Sequence, residues 1–469
     1  MIIQNGGSPL SRKAVHLFQI NQHKLALDVE SDSLHLLDDL SWEVISLLNE
    51  ERTEQEILSL LHKRYPEEEI REVFYEIRSL IARGQLWSEP PEIETIPDNQ
   101  VVKALCLNAA HSCNLVCRYC FAGKGNYGGN HNLMPPEVGK AALDFLLQNC
   151  GNRLQAEIDY FGGEPLLNKK AIQEITSYGR RQEKEMEMHF RFTLTTNGLL
   201  LDDHTIEYLS AENFSVILSM DGRQEVHDNM RTFPDGSPSY RPVAEKLQNF
   251  LQQWSGNYYV RGTFTSFNRD FFYDVLHLYQ QGFRHISLEP AIAEPGKEWS
   301  LGEKDLDYIF SQYQTLAEFY LECYRKGDPF TFFHFEIDLD KGPCLFKRLS
   351  GCGAGKEYLA VTPEGAIYPC HQLVGQDQYF MGYVQHPQEV KYPLPAKVFP
   401  PTGPQVGPCT DCWARYHCGG GCRAASITVN GDPAIPNHLE CALQRKRLEC
   451  ALYIQARMKE EFPHGYVQR

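Results

Sequence analysis

Residues 103–120 read KALCLNAAHSCNLVCRYC, an apolar run passing into a loop that carries Cys113, Cys117 and Cys120 at C-x3-C-x2-C spacing. The run has the length and composition of a buried strand, and the loop follows its C-terminal end. A closed structural zinc site takes four ligands, and no nearby His or Cys completes one; His111 is adjacent but badly placed. Three thiolates on an iron–sulfur cube leave one iron without a protein ligand, open to a substrate or cofactor.

The strand that feeds this loop is the first of a series. KALCLNAA, AEIDYFGG, RFTLTTNG, FSVILSMDG, YYVRGTFTS and HISLEP alternate with helical patterns such as PPEVGKAALDFLLQNC and KKAIQEITSYGRRQEKE across residues 101–315. Strand–helix repetition predicts an α/β fold with a parallel sheet, as a partial or full barrel. Each polar motif ends a strand, where such barrels build their active sites. GGEP places Gly162 and Gly163 for close backbone approach to a ligand and offers Glu164 as an acceptor for an ammonium group. TTNG supplies Thr196 and Asn197, and SMDG supplies Ser219 and Asp221. Arg231 and Arg261 are candidate carboxylate anchors, since a guanidinium grips that group bidentately. Glu289 ends the last strand, placed either to accept from a cofactor or to cap the barrel. Gly123, Gly125 and Gly128 spell G-x-G-x-x-G, but they follow a cysteine loop and open no helix, so they read as loop flexibility rather than a dinucleotide site.

Residues 1–90 read as a separate module. AVHLFQI, HKLALDV and SLHLLDD are strand-like, and three helices follow, with Ser41 and Thr53 at cap-like positions and Pro66 opening the third. In that helix Ile70, Val73, Phe74, Ile77, Leu80 and Ile81 form one apolar stripe. The pattern is winged-helix-like, but it lacks the basic stripe of a nucleic-acid reader; an exposed strand edge suits an extended peptide instead. The proline-rich stretch 91–100 reads as a linker.

The whole chain, 469 residues with 42% hydrophobic and 23% charged residues, has material for two or three soluble domains. Its net charge of -16 disfavours a nucleic-acid partner. No secretory pattern opens the chain and no apolar run is long enough to span a bilayer, so a cytoplasmic protein with no membrane partner is expected. In a reducing compartment fifteen cysteines point to metal or catalytic roles rather than disulfides. Cys106, Cys150, Cys323 and Cys450 stand apart and read as buried core residues. The rest form two groups, the loop above and an array from Cys344 to Cys441 that includes CTDCWARYHCGGGC. Taken alone, the paired short spacings of that array also suit a zinc ribbon.

The loop Cys113-x3-Cys117-x-Tyr119-Cys120 resembles that of the radical S-adenosylmethionine (SAM) enzymes. That resemblance implies a partial (β/α)6 barrel with a 4Fe–4S cluster whose open iron chelates SAM, and reductive formation of a 5'-deoxyadenosyl radical. It implies cofactor contacts from Tyr119, the Gly162–Glu164 turn and Ser219. The array resembles the SPASM extension, which carries two auxiliary 4Fe–4S clusters. By it, Cys352, Cys370 and Cys422 hold the first and Cys409, Cys412, Cys418 and Cys441 the second, while Cys344 either completes the first or leaves an iron open. Three clusters in all are then implied.

Stretches in all three regions, among them VHLFQINQHKLALDVES, FFHFEIDLDKGPC and LSGCGAGKEYLAVTPEGAIYPCHQLVG, resemble the maturases of SCIFF peptides, grouped among ranthipeptide synthases. The implied activity is thioether crosslinking of a Cys-rich precursor, sulfur to a Thr-type acceptor, with the leader held by an N-terminal RRE-like domain. A flavodoxin- or ferredoxin-type protein would supply electrons. The implied layout is 1–90 peptide-binding, 91–100 linker, 101–315 radical SAM core, 316–340 bridge, 341–450 SPASM and 451–469 tail. Alternatives are a quinohemoprotein-type maturase joining Cys to Asp or Glu, a sulfatase-maturating dehydrogenase, and a zinc-stabilised peptide-binding scaffold. Phe332, Phe333, His334, Glu336, Asp338 and Asp340 either line a peptide channel or bridge two domains, and carry no assigned catalytic role.

Overall fold

The computed structural model describes residues 15–90, 101–294, 296–339, 351–400, 403 and 407–462. Cys344, Asp340 and the 91–100 stretch lie outside the described residues.

The N-terminal module forms as its patterns predict. Strands β1 (Val15–Ile20), β2 (His23–Asp28) and β3 (Leu34–Leu37) make an antiparallel sheet in that order. Helices α1 (Asp39–Asn49), α2 (Glu54–Leu61) and α3 (Glu67–Ala82) follow. Thr53 caps α2 in a reciprocal capping box with Glu56. Ser41 does not cap α1: Asp38 does, accepting from the Ser41 backbone N–H, because a carboxylate three residues earlier reaches that donor. In α3, Ile70, Val73, Phe74 and Ile77 are buried, with Leu80 and Ile81 packed at the edge of the same core.

The six expected strands are β4 (Ala104–Ala110), β6 (Gln155–Gly162), β7 (His189–Thr196), β8 (Ser215–Ser219), β10 (Tyr258–Phe264) and β11 (His285–Pro290). They lie side by side and parallel. Helices α4 (Pro136–Asn149), α5 (Lys169–Met186), α6 (Asp203–Ala211), α7 (Gln224–Met230), α8 (Tyr240–Gln253) and α9 (Phe272–Gln280) connect them. β5 (Val116–Cys117), within the cysteine loop, pairs with β9 (Arg231–Thr232). Beyond β11, helix α10 (Leu306–Arg325) leads to β12 (Thr331–Phe332), which extends the sheet in parallel. Of the FFHFE stretch, Phe332 joins this sheet edge and Phe333–Phe335 form a 3-10 turn after it.

On the far side β13 (Tyr358–Val361) pairs parallel to β4, and β14 (Ala366–Tyr368) and β15 (Gly382–Tyr383) continue antiparallel. The C-terminal region thus completes the same sheet instead of standing apart. It ends in α11 (Arg415–Cys418), α12 (Arg423–Asn430) and α13 (His438–Glu461). Two expected boundaries fall inside helices: 315/316 cuts α10, and 450/451 cuts α13. Residues 451–461 are no tail, since Ala451, Leu452, Tyr453 and Ile454 are buried in the main core. Cys106, Cys150, Cys323 and Cys450 are buried there too. No helix among the described residues is long and apolar enough to cross a membrane.

The N-terminal module meets the C-terminal cysteine array. The residues between Cys412 and Cys418 dock on the N-terminal module: the Trp413 ring stacks on His16 at 3.9 Å, Arg415 and Tyr416 bind Glu30, and His417 lies 2.6 Å from Asp32.

Candidate functional site

The cysteine loop is held by close backbone packing. Gly163 N donates to Ala110 O and Glu164 N to Ser112 O, both at 2.8 Å, so the turn after β6 clamps the chain leaving β4. A Cβ on Gly163 would lie 2.2 Å from Ser112 O, and one on Gly125, at φ +91, would lie 2.9 Å from Cys113 Cβ. The paired glycines therefore make room for the protein's own loop rather than for a ligand alone. Gly125 is likewise packed against that loop, not an element of loop flexibility.

Two buried carboxylates support the motifs from beneath. Glu164, 1% exposed, accepts from Thr196 Oγ1 and Asn197 N at 2.8 Å and from Leu166 N at 3.1 Å. Two of these bonds tie β7 to the turn after β6, and Glu164 is not among the residues that line the cavity described below. Burial pushes its carboxyl up to about 7, with those hydrogen bonds pulling the other way. Asn197, so fixed, donates toward Cys113 Sγ at 3.8 Å. Asp221, fully buried, accepts from Tyr119 Oη at 2.5 Å, from Arg231 Nε and Nη2 at 3.0 and 3.1 Å, and from Thr263 N at 2.9 Å. It joins the cysteine loop to β8, β9 and β10.

Above these supports lies a cavity of about 420 Å³. Of the residues singled out in the sequence, Cys113, Cys117, Tyr119, Cys120, Gly162, Gly163, Thr196, Asn197, Ser219, Arg231, Arg261, Glu289 and Cys422 line it. Glu164 and Asp221 do not. Arg231 already pairs with Asp221, while Arg261 is half-exposed and 3.7 Å from Glu289.

The described thiols of the C-terminal array fall into two neighbourhoods. Cys352 and Cys422 both lie within electrostatic reach of Cys370, and Cys412 and Cys418 both lie within reach of Cys409. Cys441 belongs with the second set, near Cys418 and Cys409. Burial pushes Cys117, Cys370, Cys422 and Cys441 up to about 12 and Cys113 to about 11. Such thiols become thiolates when a metal displaces the proton. Among the described residues no three His, Cys, Asp or Glu side chains converge tightly enough for one metal ion. A cube takes each thiolate on a different iron, so its ligands stand farther apart than the bonds of about 2.3 Å around one zinc impose. The three-thiol loop, its glycine cradle and the cavity fit a cluster of that kind.

Three functional candidates were not legible in the sequence: His371, Glu440 and Arg447, which line the cavity; His334, named in the FFHFE stretch, touches Glu289 behind it. Arg447 sits in the charged run QRKRLE, yet it is 6% exposed. Its position after Cys441 was the one available signal. Burial opposes the charge on Glu289, but His334, Arg447 and Arg261 outweigh it and hold the carboxyl down to about 2; burial in turn lowers His334 to about 3, against the pull of Glu289.

Residues 107–249 match the Radical SAM superfamily. With the parallel sheet and the cysteine loop at its strand ends, this segment is similar to the core of that superfamily, whose members use SAM and a 4Fe–4S cluster. Its relatives include maturases. The Radical SAM cyclopropyl synthase TigE of Paramaledivibacter caminithermalis is 23% identical over 72% of this chain and 71% of its own length. The Cysteine-type anaerobic sulfatase-maturating enzyme of Clostridium perfringens is 26% identical over 59% of this chain and 76% of its own. Among solved structures, anSMEcpe with bound AdoMet and Kp18Cys peptide matches with a TM-score of 0.62 at 20% identity, over 76% of this chain and 99% of that one. At that identity the likeness speaks for the fold.

Proposed function

We propose that this enzyme forms thioether crosslinks in a Cys-rich ribosomally made peptide of the SCIFF type. The observation that carries the reading is one cavity lined both by Cys113, Cys117 and Cys120 and by Cys422 of the C-terminal array. The maturase relatives and the solved relative holding a peptide support a peptide substrate.

Cys113, Cys117 and Cys120 would hold a 4Fe–4S cluster, which together with SAM would supply the radical chemistry for hydrogen abstraction. The chain's own residues order that site. Asn197 donates to the Cys113 sulfur, Asp221 fixes Tyr119 beside Cys120, and Ser219 and Arg231 offer polar contacts to SAM. Cys352, Cys370 and Cys422 form one auxiliary site and Cys409, Cys412, Cys418 and Cys441 the other, each for a 4Fe–4S cluster. A substrate thiolate held near Cys422 gains the positional advantage that crosslinking needs. The leader binds along an end strand of the β1–β3 sheet by strand addition. A small ferredoxin- or flavodoxin-type protein delivers the electron.

The test is a mass spectrum of a Cys-rich precursor peptide after anaerobic incubation with iron-reconstituted enzyme, SAM and reductant. Loss of two hydrogens per bridge, with one cysteine protected from alkylation, is expected, because one S–H and one C–H are replaced by an S–C bond. Formation of 5'-deoxyadenosine with an unchanged peptide mass retains the radical chemistry and rejects the substrate.

A further inference from the structure

Arg447, on α13, is a buried cation with an unfilled donor. Its Nε donates to the Tyr313 hydroxyl at 2.8 Å, and Nη1 lies 3.5 Å from Glu289 Oε2 and 3.4 Å from His334 Nδ1. Nη2 has no hydrogen-bond partner among the described residues, although the side chain lines the cavity. Native interiors rarely leave such a donor unmet, because its desolvation is then uncompensated. Arg261 lines the same cavity, half-exposed and loosely paired with the same Glu289 at 3.7 Å. Glu440, the other carboxylate on this wall, accepts from Cys422 N at 3.2 Å. Two guanidinium forks therefore share Glu289 and retain donors for one more planar anion.

We propose that Arg447 and Arg261 form a carboxylate subsite that holds an acidic side chain or the C-terminal carboxylate of the bound peptide. The inference rests on the reading of the cavity as a peptide site. SAM also carries a carboxylate, but the two ends of the cavity are electrostatically distinct. Arg231 is paired with Asp221 at 3.0 Å, beside the cysteine loop, whereas Arg261 and Arg447 both face Glu289, at 3.7 and 3.5 Å. The subsite therefore belongs to the part of the wall built by β10, β11 and α13.

The test compares N-acetyl-aspartate methylamide with N-acetyl-asparagine methylamide, titrated into iron-reconstituted full-length enzyme with SAM present and followed by saturation-transfer NMR. The aspartate probe should bind at least about tenfold more tightly, as a charge-assisted bidentate pair implies. Arg447→Gln and Arg261→Gln should each erase that preference and leave the Kd for SAM unchanged. Should Arg447→Gln fail to fold, Arg261→Gln carries the test, since its side chain is half-exposed. Equal binding of the two probes by the unaltered enzyme overturns the proposal. So does a tenfold weaker SAM affinity in Arg447→Gln with the probe preference intact, which would assign the wall to the cofactor. Absence of 5'-deoxyadenosine from the unaltered enzyme would defeat the functional reading, while the probe preference is read independently of it.

Discussion

Replacing Asp221 by Asn should be among the most damaging single changes in the core. Asp221 is fully buried and accepts four hydrogen bonds, two of them from Arg231, itself 8% exposed. Asn removes the charge that compensates the guanidinium and aims an N–H at one of four donors. Breaking a buried pair from one side costs about 3–5 kcal/mol, since the surviving charge stays desolvated. For a region the size of the barrel, each kcal/mol lowers Tm by about 2–4 °C, so a fall on the order of 10 °C is expected. Anaerobic scanning calorimetry on iron-loaded and iron-chelated protein separates this loss from any loss of metal. Because Tyr119 hangs on the same carboxylate, iron retained after reconstitution should fall as well. The double replacement Asp221→Leu with Arg231→Met removes both charges and should recover much of the loss. A single variant within about 2 °C of the parent would refute the reasoning, given that one kcal/mol alone shifts Tm that far. A double variant that loses the sum of both singles would refute it too.

Gly163→Ala should cost about 1–3 kcal/mol by overpacking and displace the cysteine loop, since its Cβ would lie 2.2 Å from Ser112 O; unchanged Tm and iron content would show that the backbone yields. Glu164, raised to about 7 from 4.5, contributes stability that is fully present below about 4.5 and lost as pH rises through about 7. Denaturation midpoints between pH 4.5 and 8 should therefore fall more steeply in the parent than in Glu164→Gln, and parallel profiles would contradict this. Trp413→Ala removes the ring stacked on His16 and should loosen the N-terminal module by about 1 kcal/mol, read as roughly fivefold faster amide exchange in β1 and β2. Equal exchange would mean that the contacts of Glu30 and Asp32 hold the module alone.

The six parallel strands and the strand–helix order of the N-terminal module were legible from local pattern. Strand runs, cap residues and cysteine spacings are set by neighbours in the chain, and a one-dimensional reading sees neighbours. Thr53 with Glu56 is such a case, as is the apolar stripe of α3. Tertiary structure decided what each polar residue faces. Glu164 and Asp221 sit in motifs at strand ends, yet packing turns their carboxylates inward to bind the loops beside them. Arg447 lies in a charged run, yet α13 packs against α10 and lays its guanidinium against Tyr313 and Glu289. The pairing of β13 with β4 likewise joins residues far apart in sequence, and carries the C-terminal array to the mouth of the barrel. Spacing along the chain determines which groups are available; whether a carboxylate or guanidinium meets a ligand or a neighbour depends on which long-range partner buries it first.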